Sequence, residues 1–209
     1  MRLRIQFTKS GPAKYSGHLD LHKTWERMLR RAGLPLAYSK GFHPQPRLHL
    51  AAALPLGMTS ECELADVWLN SAVEIHQAVA ALRAAASPGI GVISAAEVPD
   101  SLPALQSQLQ SADYVAALAE PVPDLDHKVA DLLAAPALIR EKRGKSYDLR
   151  PLVESLTLEG SALRMRLAAR DGATGRPEEV LEALGLGSQT VAVHRVALHF
   201  IDNSPSGRV

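Results

Sequence analysis

A chain of 209 residues, 46% of them apolar, has material for one large packed domain or two small ones. Aromatic residues make up only 4%, which argues against a surface that stacks several bases on aromatic platforms. The single cysteine, Cys62, excludes an intrachain disulfide and a cysteine-held iron–sulfur or zinc centre, and a buried structural thiol is expected.

The net charge of +1 conceals a segregation. Residues 1–50 carry 10 Lys/Arg against 2 Asp/Glu, a net of +8; residues 51–135 carry 2 against 11, a net of −9; residues 136–209 carry 11 against 9, a net of +2. Either the first segment presents a positive face that attracts anions, or the first two neutralise each other in the folded chain. The N-terminal MRLRIQFTK has no signal-peptide core, and no apolar run approaches the roughly 20 residues of a membrane span. A cytoplasmic protein without membrane contact is expected.

Residues 2–8 alternate, with Leu3, Ile5 and Phe7 on one side and Arg2, Arg4 and Gln6 on the other, which predicts a half-buried strand. Ser10-Gly11-Pro12 breaks it. A helix is predicted over residues 18–32, with Ser16 as N-cap and Asp20 in the first turn. Leu21, Trp25, Met28, Leu29 and Ala32 recur at helical spacing and form the buried stripe, while His22, Lys23, Glu26, Arg27, Arg30 and Arg31 take the other side. Gly33 and Pro35 end the helix. Lys40-Gly41-Phe42-His43-Pro44-Gln45-Pro46-Arg47 then makes a stiff loop, because Gly41 permits a positive φ and two prolines fix the backbone. An extended run over 48–54, a strand over 61–70, an alanine-rich helix over 73–86 and a strand over 90–98 follow.

The second half reads similarly: a strand over 112–118, a helix over 124–134, a strand over 137–140, a hairpin about Gly160, a helix from Pro177 and a strand over 190–200. Residues 142–150 form a second basic loop. The expected class is α+β, with two tandem ferredoxin-like (split βαβ) units with antiparallel sheets. They occupy residues 1–98 and 112–201, with a linker over 99–111 and a flexible tail over 202–209.

The residues suited to chemistry cluster early. His18 and Asp20 stand at a helix start, where free N–H groups favour an anion and a histidine can shuttle a proton; Asp20 is equally ordinary first-turn chemistry. Lys23, Arg27 and Arg31 offer charge along the helix, and guanidinium forks suit phosphate; a solvated face is the plain alternative. Tyr38, Ser39, Lys40, Gly41, Phe42, His43, Arg47 and His49 converge on the loop, whose N–H groups and cations suit a phosphate backbone and whose Phe42 suits stacking. The loop is alternatively a structural crossover with Phe42 in the core. No P-loop, GxGxxG or HExxH pattern is present and no metal-ligand spacing is found, so no metal and no cofactor is expected in this chain. The helix and loop together predict one positively charged recess.

The stretch HLDLHKTWERMLRRAGLPLAYSKGFHPQPRLHLAAALPLGMTSE, residues 18–61, resembles the radical-SAM-linked protein family. This bacterial domain of unknown function occurs alone or fused behind a cobalamin-binding radical SAM enzyme. Gly17 stands at that family's serine, Lys23 at its arginine, His43 at its asparagine, Gln45 at its histidine and Arg47 at its lysine. The resemblance implies a radical SAM protein as partner, with S-adenosylmethionine, a [4Fe-4S] cluster and cobalamin held there and not here. The primary expectation is an accessory, substrate-binding subunit that holds an anionic substrate such as RNA or tRNA. One alternative is a metal-independent RNA-processing enzyme that uses His18 or His43 with Lys40 or Arg47, similar in fold alone to CRISPR repeat-processing endoribonucleases. Another is a protein-interaction domain only.

Overall fold

The computed structural model describes residues 1–120, 122–142, 144–187 and 191–201. The expected tail over 202–209 lies outside the described residues, as do Arg143 of the second basic loop and Thr190, the expected start of the last strand.

Strand β1 (Arg2–Lys9) buries Leu3, Ile5 and Phe7 against helix α1 (His18–Arg31). The helix inserts Leu21, Trp25, Met28 and Leu29, and Trp25 meets Phe7 edge-on at 4.8 Å. Each such side chain contributes about 1.5–3 kcal/mol on burial. Gly17, not Ser16, is the N-cap, and no side chain caps the helix. Ser16 instead closes a 3₁₀ turn over Gly11–Tyr15, and its carbonyl accepts from Lys9 Nζ at 2.9 Å. Gly33, at φ +67°, stops the helix as its sequence position predicts.

The remaining elements are β2 (Leu48–Leu50), β3 (Thr59–Trp68), α2 (Ile75–Ala84), β4 (Ile90–Val98), α3 (Leu105–Gln108), β5 (Leu109–Leu118), α4 (Leu125–Ala134), β6 (Ile139–Lys142), β7 (Lys145–Asp148), β8 (Val153–Glu159), β9 (Ala162–Arg170), β10 (Ala173–Thr174), α5 (Pro177–Ala183) and β11 (Val191–Phe200). The chain is thus mixed α+β, and among the described residues no helix is long and apolar enough to cross a membrane.

Nine strands form one mostly antiparallel sheet in the order β10-β9-β5-β11-β3-β1-β4, with β2 beside β3 and β8 beside β9. The expectation of two separate sheets is corrected here. β3 and β11 pair in parallel, Thr59 with His194 and Ser60 with Arg195, and join the halves edge to edge. β2 is shorter than the apolar run over 48–54. β2 pairs with residues 65–67 of β3, and the part of that edge at Thr59–Ser60 belongs to β11. Strands β6 and β7 form a separate two-stranded sheet.

Each half has its own core: Leu3, Phe7, Trp25 and Val67 mark the first, Tyr114, Leu132, Met165 and Leu181 the second. Between them lies a buried charge pair. Arg195 donates through Nε and Nη2 to Glu63 at 2.6–2.8 Å, and through Nη1 to the Ala53 carbonyl at 3.0 Å and Tyr114 Oη at 3.4 Å. Arg195 is 1% and Glu63 2% exposed, so removing either leaves an uncompensated interior charge.

Candidate functional site

The stiff loop is a projecting tongue, and Trp68 at the end of β3 anchors it. Ala37 N–H donates to the Trp68 carbonyl at 2.8 Å, and Trp68 N–H donates to the Arg47 carbonyl at 3.1 Å. Above that root the arms bind each other. Arg47 N–H donates to Ala37 O at 2.8 Å, Ser39 N–H to Gln45 O at 2.8 Å, and Gln45 N–H to Ser39 Oγ at 3.0 Å. Tyr38 and Pro46 face each other across the arms. The tip is Lys40, Gly41, Phe42, His43 and Pro44, with Gly41 at φ +134°, a conformation that a Cβ disfavours.

Phe42 is fully exposed, at 102%. The alternative that placed it in the core is therefore excluded. A phenylalanine held wholly in water at the tip of a braced tongue contributes nothing to the fold, since the hydrophobic effect rewards burial.

Beneath the tongue, the Trp68 indole collects charge. The Arg47 guanidinium lies 4.7 Å and that of Arg2 4.9 Å from the ring centroid, and His49 meets the ring edge-on at 4.9 Å. Trp68 Nε1 donates to Asp100 Oδ1 at 2.5 Å. Asp66, fully buried, accepts from both Arg2 and Arg4. Arg2 also donates to the Leu102 and Pro103 carbonyls, which fixes the connection between the halves. Burial, and then the charges of Arg2 and Arg47, push the His49 pKa below its ordinary value, with Asp66 working the other way.

The predicted single recess does not form. His18 starts α1 at the Lys9 end of β1: burial first and His22 next lower its pKa, with Glu63 opposing and Lys9 adding to the effect. The tongue leaves from the other end, since Trp68 pairs with Arg2 whereas Lys9 pairs with Ser60. His18 and the root of the tongue thus lie toward opposite ends of β1. Asp20 is exposed beside His18, with its carboxylate near Gly17. Arg31 turns the other way, and its Nη2 donates to Ala85 O at 2.8 Å and Ser87 Oγ at 3.2 Å at the end of α2. Arg27 is exposed and bonds to Thr24 Oγ1. Lys23 and Lys40 are exposed with no ion pair among the described residues.

Sequence reasoning passed over His22, Trp68 and Arg2. His22 ties helix to tongue root, with Nδ1 3.0 Å from Glu26 Oε1 and Nε2 3.2 Å from the Leu48 carbonyl. Its place one turn after His18 on the same helix flank was the available signal. Trp68 had none, because its partners are remote in sequence. Among the described residues no group of three or more His, Cys, Asp or Glu is arranged to hold a metal. Cys62 is half-buried, and burial pushes its thiol up to about 11, which leaves it protonated and unreactive at neutral pH.

The sequence matches, over residues 2–177, a family described as uncharacterized protein conserved in bacteria (DUF2344). The chain belongs to that family. No curated protein matches it. Among solved structures, a chain of a Cbf5-Nop10-Gar1 complex is similar at a TM-score of 0.47 and 12% identity, covering 96% of this chain and 50% of that one. The chain thus spans about half the length of that structure. An unknown protein from Galdieria sulphuraria is similar at a TM-score of 0.28 and 14% identity, covering 96% of this chain and 98% of that one.

Proposed function

We propose that this chain is the substrate-binding partner of a radical SAM enzyme and that it holds an anionic substrate, RNA or tRNA, on the tongue and the adjoining flank of α1. The single observation that carries the reading is the fully exposed Phe42 beside the exposed Lys40 on a braced tongue. An aromatic ring stacks on any base, and a neighbouring cation meets the backbone phosphate. Arg47 extends the positive surface to the tongue root, where the His49 ring lies against Trp68. The radical SAM partner is supported by the resemblance of residues 18–61 to the radical-SAM-linked family. In the same reading the two halves are tandem ferredoxin-like units, supported by strand orders β4-β1-β3-β2 and β11-β5-β9-β8, which match the split βαβ pattern.

Labelled tRNA and single-stranded RNA titrated at two salt concentrations test the proposal. Binding at low salt that weakens steeply as salt rises is expected, because neutralised phosphates release counterions. Absence of binding at low salt would remove RNA as the substrate. Co-purification with a radical SAM protein, unaffected by nuclease, would show the partner separately.

A further inference from the structure

The second half carries a counterpart of the tongue. In each half, the segment between the first helix and the second strand is drawn out into two arms. In the first half these are the arms bridged at Tyr38 and Pro46; in the second they are β6 and β7, which pair from Ile139 with Asp148 to Lys142 with Lys145. Four residue types recur in mirror order. Tyr38-Ser39-Lys40-Gly41 climbs the outgoing arm of the first tongue, and Gly144-Lys145-Ser146-Tyr147 descends the returning arm of the second. Both glycines have positive φ, +134° and +72°, and both lysines are exposed. The tyrosines lie nearer the sheet, and Tyr147 Oη donates to Glu179, which fixes the second tongue to α5.

Strand directions put both tongues at one end of the sheet. β1 is antiparallel to β3, β3 is parallel to β11, and β11 is antiparallel to β5, so β1 and β5 run the same way. In either half, the connection from first helix to second strand returns to the starting end of the first strand. β1 and β5 are three strand positions apart, which is roughly 14 Å at about 4.8 Å per step. A twist of about 20–25° per step splays the two tongues instead of setting them face to face.

From this placement we infer that the two tongues are paired prongs of one surface, and that a single strand of RNA runs from Lys40 and Phe42 to Lys145. The choice of RNA rests on the function proposed above. Charge complementarity supports the path, since neither lysine has an ion-pair partner among the described residues. Helix α4 sets Asp126 and Asp131 against its one lysine, Lys128, so it is the second tongue and not α4 that offers an RNA backbone its cations.

The test compares single-stranded RNAs of roughly 4 and roughly 16 nucleotides, binding the wild-type chain and the variants Lys40→Glu, Lys145→Glu and Lys128→Glu. Lys128 lies exposed on α4 and controls for charge alone. Two prongs on one strand predict that Lys145→Glu weakens the long RNA about fivefold or more and leaves the short one nearly unchanged, whereas Lys40→Glu weakens both. Lys145→Gln should show the same ordering with a smaller loss. If Lys145→Glu costs the long RNA no more than Lys128→Glu, the paired-prong inference is overturned while the function proposed for the first tongue stands. If the wild-type chain binds neither RNA, that function fails and takes this inference with it.

Discussion

Arg47 and Trp68 hold each other twice: the guanidinium lies 4.7 Å over the indole centroid, and the Trp68 N–H donates to the Arg47 carbonyl at 3.1 Å. One residue thereby supplies both the floor of the positive surface and the hinge of the tongue. Trp68→Ala removes a buried aromatic and is expected to cost about 3–5 kcal/mol by urea unfolding. It should also speed amide hydrogen exchange at Ser39 and Arg47, whose N–H groups bridge the arms. Trp68→Phe retains a ring and should cost less. Unchanged exchange in Trp68→Ala would show that the tongue does not depend on this anchor.

Phe42→Ala separates stability from binding. The ring is fully exposed, so unfolding free energy should change by less than about 0.5 kcal/mol. Loss of one stacked base should weaken single-stranded RNA binding by about 1–3 kcal/mol, roughly 5- to 150-fold. A variant that binds as tightly as wild type would exclude stacking at the tip.

The seam between the halves predicts the opposite pattern. Glu63 and Arg195 are buried together, and Glu63→Gln leaves the Arg195 guanidinium without its counter-charge. A loss of about 3–5 kcal/mol is expected, read by chemical denaturation. RNA affinity of the fraction still folded should be unaffected, because Arg195 makes its remaining hydrogen bonds to Ala53 and Tyr114 and none to the tongue.

Much of the first half was legible in its sequence. The period-2 run of Leu3, Ile5 and Phe7 and the helical stripe of Leu21, Trp25, Met28 and Leu29 are local patterns, and burial follows them directly. What was not legible is long-range. Nothing near Ser60 announces that Arg195 will pair beside it, so the continuous sheet was hidden. The recess failed for a related reason: periodicity gives the faces of a helix but not which flank meets which neighbour. Arg31 therefore turned to α2, and His18 took the end of the helix remote from the tongue. The second tongue was read as a strand over 137–140 followed by a basic loop over 142–150, because a four-residue ladder has too few positions to show the alternation of the returning strand β7.

Stability should fall as the medium is acidified toward pH 5.5. Burial and nearby cations depress the pKa of His18 and His49 in the folded chain. The unfolded chain therefore binds more protons below about pH 6.5, and the stability present above that pH is lost as pH falls. The urea midpoint should drop between about pH 7.5 and about 5.5. The double variant His18→Gln, His49→Gln should show a smaller drop, and an equal drop in both proteins would contradict the assignment.

The most direct measurement of the central claim is hydrogen exchange of the whole chain with and without bound single-stranded RNA. Slowed exchange concentrated in residues 37–47 is the predicted result. Protection confined to other segments, with the tongue exchanging at its free rate while RNA is bound, would contradict it.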